Sequence, residues 1–394
     1  MRYQHEKPAG SLADLQPLAQ PVAAALRRAG WRVVFAESCT AGLVSATLGS
    51  LAGISEHLCG SAVTYRSPTK QDWLGVSRES LSNPGPVSRE VARQMARGVL
   101  RSTGEADLSL SITGHLGPEA PAQLDGVIQV GVAWKDPAVS DGAEVFATSR
   151  CFRLKSSERG LRQQEAVHRT LATLIDTAEI HDAWNQLRQG SLEKRRFCSQ
   201  RHACGEPARR EESTAPPGVL FSALRDAGTE GGRRICQYVQ SSLGEKVEQE
   251  WSLEQPDQSV CGFPAALDRL FGLLARGPVW LTRQSTFAGK ALLFPGSTFV
   301  VDIETIVQLA DPESYSGPES RRQALETIGA AGCRFLVFAG WLHRAAPALG
   351  VTAPGVCQLP DLALPAELGQ ICSPLPESVY VCDKPQAVQR GTGA

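Results

Sequence analysis

The sequence lacks any long apolar run, and no segment approaches the roughly 20 residues that a membrane-spanning helix needs. The first eight residues have no apolar core and are not expected to act as a signal peptide. An excess of one charge is also missing, because 40 Lys and Arg residues balance 41 Asp and Glu residues. A nearly neutral chain does not favour nucleic acid or an anionic membrane as a partner. We therefore expect a cytoplasmic protein with neither nucleic acid nor a membrane as its partner.

The 11 cysteines have no spacing that indicates a metal site. No Cys-x-x-Cys pair occurs, and Cys198, His202 and Cys204 do not match a zinc pattern. An odd number of cysteines without a secretion signal is typical of reduced, mostly buried thiols. We expect neither a metal nor a cofactor.

A chain of 394 residues is too long for one ordinary core, so we predict two domains. From about residue 188 to residue 217 the apolar periodicity disappears, and charged residues of both signs alternate with Gly, Ser and Pro. That composition is typical of a linker rather than of a basic nucleic-acid arm. The predicted boundaries are 11–182 for the first domain, 183–217 for the linker and 218–394 for the second domain.

Alternating apolar strands and amphipathic helices predict an α/β fold in both halves. The fold class is two α/β/α sandwich domains, the second Rossmann-like, joined by a flexible linker. In the first half the pattern predicts helices at 11–29, 39–51, 88–101 and 156–175, and strands at 32–36, 60–65, 108–113 and 127–134. In the second half it predicts helices at 229–243 and 321–331, and strands at 219–221, 278–281, 298–301 and 334–339.

Ser38 lies where a predicted apolar strand gives way to a helix. Such a turn places a side chain at the carboxyl edge of the sheet, where open α/β folds bind ligands. The amides of Cys39 to Gly42 are then expected at a helix N-terminus, where they could hold a phosphate or an oxyanion. Taken alone, Ser38 fits a helix N-cap better than a nucleophile, because serine is a preferred capping residue.

Two further turns are predicted near the same edge. Residues 62–70 end a strand and enter a helix, and they present a phenol and an amine at Tyr65 and Lys70. Residues 112–118 follow another apolar strand, and their two glycines would permit close approach of a ligand.

These segments resemble the C-terminal domain of the competence/damage-inducible CinA family, whose members include nicotinamide mononucleotide deamidases. Residues 36–42 (AESCTAG) are similar to the nucleophile loop of that family, and Tyr65 and Lys70 match its Tyr-to-Lys spacing. Residues 74–76 (LGV), 86–92 (PVSREVA) and 112–118 (ITGHLGP) follow in family order. The resemblance covers about 165 residues.

The resemblance implies a catalytic serine, Ser38, with Lys70 as its base and Tyr65 as an orienting partner. A serine hydroxyl needs an adjacent base, and a lysine can serve once burial lowers its pKa. The implied reaction hydrolyses the amide of a nicotinamide nucleotide and releases ammonia. Substrate-binding positions are implied at Cys39, Thr40, Gly42, Thr113, Gly114, Arg159 and Arg162. For the two arginines a solvated helix face is the alternative reading.

The chain departs from the family pattern at two places. Ala41 stands where the first of two glycines is usual, which we interpret as a mild change. Residues 119–123 (EAPAQ) stand where further glycines are usual, which leaves a substrate other than the family's open as an alternative. His57 and His115 have no matching family role, and we interpret both as structural.

Residues 218–390 resemble a nucleotidyltransferase domain of the nicotinate/nicotinamide mononucleotide adenylyltransferase type, most clearly at 281–301. In that family a Thr-or-His, x, Gly, His signature opens a helix, and its final histidine stabilises charge on the transferred phosphate. Here the matching run, 229–232, ends in Gly232. The second signature, at 384–390, keeps only Arg390. We therefore expect this half to be degenerate, with structural roles for Lys290 and Arg334.

The leading hypothesis is thus an amidohydrolase of pyridine nucleotide salvage with a degenerate second domain. A non-catalytic nucleotide-binding or regulatory protein is the alternative. A working bifunctional deamidase–adenylyltransferase would need a replacement for the missing histidine, and the sequence offers none. The family resemblance also makes a homo-oligomer plausible.

Overall fold

The computed structural model of the chain describes residues 15–135, 145–198, 218–222, 230–244, 246–254 and 260–376. The chain folds into two compact units. Within the described residues, the first unit holds everything up to residue 185 together with 262–271. The second unit holds 186–198 and the described residues after 217, except for 262–271.

The first unit contains the sequence-predicted strands and helices together with several that the pattern did not reveal. Its strands are β1 (Val33–Glu37), β2 (Leu58–Val63), β3 (Leu108–Gly114), β4 (Val127–Lys135) and β5 (Val145–Arg153). Its helices are α1 (Gln16–Ala29), α2 (Leu43–Gly49), α3 (Ser67–Leu74), α4 (Arg78–Ser82), α5 (Arg89–Ser102) and α6 (Arg159–Gln189), the last of which ends in the second unit.

The first sheet is mixed and has the strand order β2-β1-β3-β4-β5. Strand β1 is parallel to both β2 and β3, whereas β4 and β5 join in antiparallel pairs. All five residues of β1 are buried, as expected for a central strand covered on both faces. At the end of β1, Glu37 pairs with Val63 of β2 and Ile112 of β3, so the three carboxyl ends meet at one edge.

The start of α2 and the end of α6 differ most clearly from the sequence predictions. Helix α2 begins at Leu43 rather than Cys39, because Ala41 and Gly42 adopt left-handed conformations with φ of 52° and 95°. Helix α6 continues to Gln189, so the linker predicted from residue 183 starts too early. The predicted helix at 11–29 is α1, whose predicted residues 11–14 lie outside the described residues.

The second unit is also an α/β structure. Its strands are β6 (Lys194–Phe197), β7 (Val219–Phe221), β8 (Val247–Ser252), β9 (Val279–Thr282), β10 (Thr298–Asp302), β11 (Arg334–Phe338), β12 (Gly340–Leu342), β13 (Gly355–Cys357) and β14 (Cys372–Pro374). Its helices are α7 (Glu230–Leu243), α8 (Phe263–Leu274, which begins in the first unit), α9 (Phe287–Leu293), α10 (Ile303–Ala310), α11 (Pro318–Ala330) and α12 (Ala366–Gly369).

The main sheet of the second unit has the order β14-β11-β10-β7-β8-β9-β6. Strands β7 to β11 and β14 are parallel, and β7, the first of them in the chain, lies in the middle. This order is that of a doubly wound Rossmann-like sheet. Strand β6 pairs antiparallel with β9 at the edge, so residues 194–197 of the predicted linker are part of the sheet. Residues 199–217 of that linker lie outside the described residues.

The first part of α8 packs within the first unit. The Phe263 ring lies 5.3 Å from the ring of Trp134 and 4.8 Å from that of His181. The Thr148 hydroxyl donates a hydrogen bond to the Asp268 carboxylate, and the Arg150 guanidinium stacks over the Phe271 ring. Residues from the second half of the sequence thus contribute to the packing of the first unit.

Candidate active site

Ser38 lies immediately after β1 and is almost completely buried. Its amide donates a hydrogen bond of 3.0 Å to the carbonyl oxygen of Ile112 on β3, and its carbonyl accepts one from the Ala41 amide. The turn is therefore fixed on both sides. The hydroxyl lies at the edge where β1, β2 and β3 end, as the sequence predicted.

Lys70 reaches Ser38 from helix α3. The residue is only 2% exposed, and its Nζ lies 2.8 Å from Ser38 Oγ. The same amine donates to the carbonyl oxygens of Thr64, at 3.1 Å, and Tyr65, at 3.4 Å. A base must lie within about 2.6 to 3.2 Å of the proton's carrier, and this pair satisfies that requirement.

Burial has opposite effects on the two ionisable neighbours of Ser38. It lowers the pKa of the Lys70 amine to about 8, because a dry environment disfavours the ammonium form. It raises the pKa of the Cys39 thiol to about 12, because the same environment disfavours the thiolate. A neutral amine is thus accessible near physiological pH, whereas the thiolate nucleophile is not. The geometry and the charges favour Ser38 over its neighbour Cys39.

Glu37 organises the turn that follows Ser38. Its carboxylate is fully buried and accepts six hydrogen bonds of 2.8 to 3.0 Å. The donors are the hydroxyls of Thr40, Ser45 and Ser61 and the amides of Gly42, Val44 and Ser45. Hydrogen bonds to an ionised acceptor are among the stronger ones in proteins. The side chain therefore fixes the turn and the first residues of α2.

This network uses groups within the predicted anion site. The amide of Gly42 and the hydroxyl of Thr40 both donate to Glu37. The protein's own carboxylate lies at the start of α2, where the helix dipole favours an anion. Among the described residues, the amides of Cys39 and Thr40 have no acceptor, and the substrate-binding roles of Cys39, Thr40 and Gly42 stay predictions.

The Tyr65 phenol does not point to the dyad as its implied orienting role requires. Within the described residues its hydroxyl accepts a hydrogen bond of 2.8 Å from Arg159, and 54% of the residue is exposed. The contact with Lys70 is made by the Tyr65 backbone carbonyl. Arg159 also donates to the carbonyl of Gly117 on the third turn. Tyr65 and Arg159 thus form an exposed pair, and their catalytic and substrate roles stay predictions.

Thr113 and Gly114 have structural partners. The Thr113 hydroxyl donates to the carbonyl of Pro86, ahead of α5. A Cβ on Gly114 would lie 2.5 Å from Cγ2 of Ile128, so the missing side chain admits the neighbouring strand β4. The substrate-binding roles of Thr113 and Gly114, and the close approach of a ligand at this turn, stay predictions.

Arg162 forms a bidentate ion pair with Asp125. Its Nη1 and Nη2 each lie 2.7 Å from a carboxylate oxygen, and its Nε donates to the Ser156 carbonyl. The pair holds the pKa of Asp125 below its usual value through this hydrogen bonding. Three of the five guanidinium donors are used, which leaves Arg162 less suited than Arg159 to bind a phosphate.

Sequence reasoning missed two residues that hold the turn after Ser38, Glu37 and Gln163. The available signal for Glu37 was its position at the end of an otherwise apolar strand, because a buried carboxylate needs many partners. Gln163, on α6, donates to the carbonyl oxygens of Cys39 and Thr40 at 3.2 Å each. No local pattern pointed to it, because its partners lie more than 120 residues away.

In the second unit, Lys290 is buried in a polar cluster rather than presented to a ligand. Its Nζ lies 2.8 Å from a Glu250 carboxylate oxygen and 3.1 Å from the Ser222 hydroxyl. Thr282 donates to the other oxygen of the same carboxylate. The structural role expected for Lys290 fits this cluster. The run at 229–232 enters α7 from Glu230 onward, whereas Thr229 and the signature at 384–390 lie outside the described residues.

The described part of the chain offers no group of three or more His, Cys, Asp or Glu residues that could hold a metal ion. Among the same residues, no helix has both the length and the apolar character needed to cross a membrane.

Comparison with known proteins gives one family for the first unit. Residues 15–178 match the model of the CinA C-terminal domain. The nicotinamide-nucleotide amidohydrolase PncC of Enterobacter agglomerans is 37% identical over 138 residues, which are 34% of this chain and 84% of that protein. A CinA-like protein of Syntrophomonas wolfei is 44% identical over 106 residues, but these are 27% of this chain and 25% of that protein. The chain therefore spans only a quarter of this longer relative.

Solved structures match the same part of the chain. A competence-damaged protein superfamily member from Klebsiella pneumoniae is 26% identical, with a TM-score of 0.38, over 42% of this chain and 98% of its own. The competence/damage inducible protein CihA from Agrobacterium tumefaciens is 30% identical, with a TM-score of 0.35, over 44% of this chain and 96% of its own.

Proposed function

We propose that this chain, which belongs to the CinA family, is an amidohydrolase that converts nicotinamide mononucleotide and water into nicotinate mononucleotide and ammonia. The relative named nicotinamide-nucleotide amidohydrolase supports this substrate, because its similarity extends over most of its own length. The observation that carries the proposal is the 2.8 Å contact between Lys70 Nζ and Ser38 Oγ. A hydroxyl and a buried amine at that distance are what nucleophilic catalysis by serine requires.

The reaction proceeds in two halves. The neutral Lys70 amine accepts the Ser38 proton while Oγ attacks the carboxamide carbon, and a tetrahedral oxyanion forms. The resulting ammonium then protonates the leaving nitrogen, the C–N bond breaks, and ammonia departs from a nicotinoyl ester of Ser38. Lys70 next takes a proton from water, which attacks the ester and releases the carboxylate product and the serine hydroxyl.

Two carbonyl oxygens keep the amine aimed at Ser38 throughout this cycle. Those of Thr64 and Tyr65 accept from Nζ, so Lys70 can donate to them in either protonation state. Arg159 is exposed beside the Tyr65 phenol and has donors suited to the phosphate of the nucleotide. The phenol offers an aromatic face to the pyridine ring.

The direct test measures ammonia released from nicotinamide mononucleotide by the wild-type chain and by Ser38→Ala. We expect the variant to lose the activity by a factor of at least about 10³, because the nucleophile is removed, while circular dichroism stays unchanged. Ser82→Ala, at an exposed position on α4, is the control and should keep the wild-type rate. Equal rates for wild type and Ser38→Ala would leave a non-catalytic nucleotide-binding protein as the better interpretation.

A further inference from the structure

The carboxamide of Gln163 contacts the turn that carries Ser38. It donates to the carbonyl oxygens of Cys39 and Thr40, and both contacts come from the same nitrogen. Gln163 lies on α6, which is a long, regular helix. Its side chain is therefore a fixed anchor for the turn between β1 and α2, which belongs to no helix or strand. This contact joins the last helix of the first unit to the reactive turn.

A planar trans peptide transmits that anchoring to the Thr40 amide. The carbonyl of Cys39 and the N–H of Thr40 belong to one peptide unit and point in opposite directions. By holding the Cys39 oxygen on the α6 side, Gln163 turns the Thr40 N–H away from α6. Within the described residues no oxygen accepts a hydrogen bond from this N–H, whereas the amides of Ser38, Ala41 and Gly42 all have acceptors.

Glu37 holds the side chain of Thr40. Its carboxylate accepts the Thr40 hydroxyl, so Thr40 is held by its side chain on one side and by its two flanking carbonyls on the other. A buried backbone donor without a partner is uncommon in a folded protein. A donor held in this way beside a nucleophile can stabilise the charge that develops on a carbonyl oxygen under attack.

Resting on the proposed hydrolase function, we propose that Gln163 is a positioning residue that orients the Thr40 amide to bind the oxyanion formed when Ser38 attacks. It does not touch the substrate. Its contribution is to fix a peptide plane before the reaction, so that no reorganisation is needed in the transition state. The residue should therefore affect the chemical step and leave substrate affinity unchanged.

The experiment compares Gln163→Met with Gln164→Met. Methionine has about the length of glutamine but no donor, so Gln163→Met releases both carbonyls. Gln164 is the matched control, because it is a half-buried neighbour on α6 whose side chain has no hydrogen-bond partner within the described residues. For Gln163→Met we expect kcat to fall on the order of 10- to 100-fold with KM within about twofold. The control should keep both constants.

A second readout does not depend on the natural substrate. A fluorophosphonate probe reacts with an activated serine: Oγ forms a bond to phosphorus, fluoride leaves, and Lys70 takes the serine proton. The phosphonyl oxygen then occupies the position of the oxyanion. Mass spectrometry of the Ser38 peptide gives the rate, and we expect Gln163→Met to slow labelling by a similar factor. Gln163→Lys, which restores a donor, should regain part of the rate.

These readouts separate the two proposals. If wild type is labelled at Ser38 but releases no ammonia from nicotinamide mononucleotide, the proposed substrate is wrong, while slower labelling of Gln163→Met still supports the positioning role. If Gln163→Met is labelled as fast as wild type, the positioning role is overturned whatever the substrate. Equal slowing by Gln164→Met would overturn it as well, since the effect would then come from α6 in general.

Discussion

At the scale of single residues, the protonation of one amine decides whether Ser38 can react. Lys70 is buried, and burial lowers its pKa to about 8. The ammonium form dominates below that pH and cannot accept a proton, whereas the free amine dominates above it. Its carbonyl partners at Thr64 and Tyr65 hold the side chain in place without supplying a negative charge that would raise the pKa again.

The rate of ammonia release should therefore depend on pH through Lys70. We expect kcat/KM to rise about tenfold per pH unit below pH 8 and to level off above it, because only the neutral amine acts as a base. Lys70→Arg should lose activity by at least about 10³ at every pH, since a guanidinium stays protonated. The measurement is a pH–rate profile from pH 6 to 9.5. A flat profile for wild type would contradict the role of Lys70.

Ala41 is a second residue whose conformation matters more than the sequence suggested. Its φ of 52° is left-handed, so the alanine that we interpreted as a mild change is in a strained conformation. We expect Ala41→Gly to stabilise the protein by roughly 0.5 to 1 kcal/mol, after the extra freedom of glycine in the unfolded chain is subtracted. Gly42→Ala, at a φ of 95°, should destabilise it by about 1 to 2 kcal/mol. Thermal unfolding of both variants tests this contrast in sign.

At the scale of elements, the reactive turn is held between β1 and α2 by one carboxylate. Glu37 belongs to the strand, and its acceptor atoms bind the amides at the start of the helix. The strand-to-helix transition thus depends on a side chain that comes before the nucleophile. Helix α2 is short, with only seven residues, so this anchoring replaces the stability that a longer helix would have by itself.

Replacing that carboxylate should loosen the turn. In Glu37→Gln the side-chain NH2 would face donors, so we expect at least two of the six hydrogen bonds to be lost, at about 2 to 4 kcal/mol in unfolding free energy. Ammonia release should fall as well, because Ser38 and Thr40 lie on the same turn. Denaturant unfolding monitored by tryptophan fluorescence provides the stability. Glu79→Gln, on the exposed face of α4, serves as the control and should unfold like wild type.

Some of these elements and contacts could be predicted from the sequence, and others could not. Apolar runs located β1, β3, β4, β7 and β10, because buried strands are recognisable from composition alone. The family motifs brought Ser38 and Lys70 together, and their contact is as expected. Strand β8 was missed, since its sequence, VEQEWS, contains two glutamates that are buried through pairing with distant residues. Contacts of that kind, like the one between Gln163 and Thr40, leave no local pattern.

At the scale of the whole molecule, the two units share the chain in an interrupted order. Residues 262–271 pack in the first unit, although the described residues just before and after them pack in the second. The family match ends at residue 178, inside α6 and well before this segment. The first unit of this protein therefore contains a helical segment that the matched region does not supply.

This added segment should contribute to the stability of the first unit. Phe263 is buried against Trp134, His181 and Trp184, so we expect Phe263→Ala to destabilise that unit by about 3 to 5 kcal/mol. The temperature at which Ser38-dependent ammonia release is lost should drop accordingly. Leu292→Ala, at a position 69% exposed on α9, should leave it unchanged. No change with Phe263→Ala would mean that the segment contributes nothing to the unit it packs in.

The interrupted order also limits how such a gene can be rearranged. A single crossover anywhere between residues 198 and 262 would separate the first unit from the start of α8 and, at the same time, separate β6 from its partner strand β9. Such a hybrid would combine an unfilled apolar surface in one unit with a sheet edge lacking its original strand in the other. Selection would therefore tend to transmit both halves together, as one inherited block.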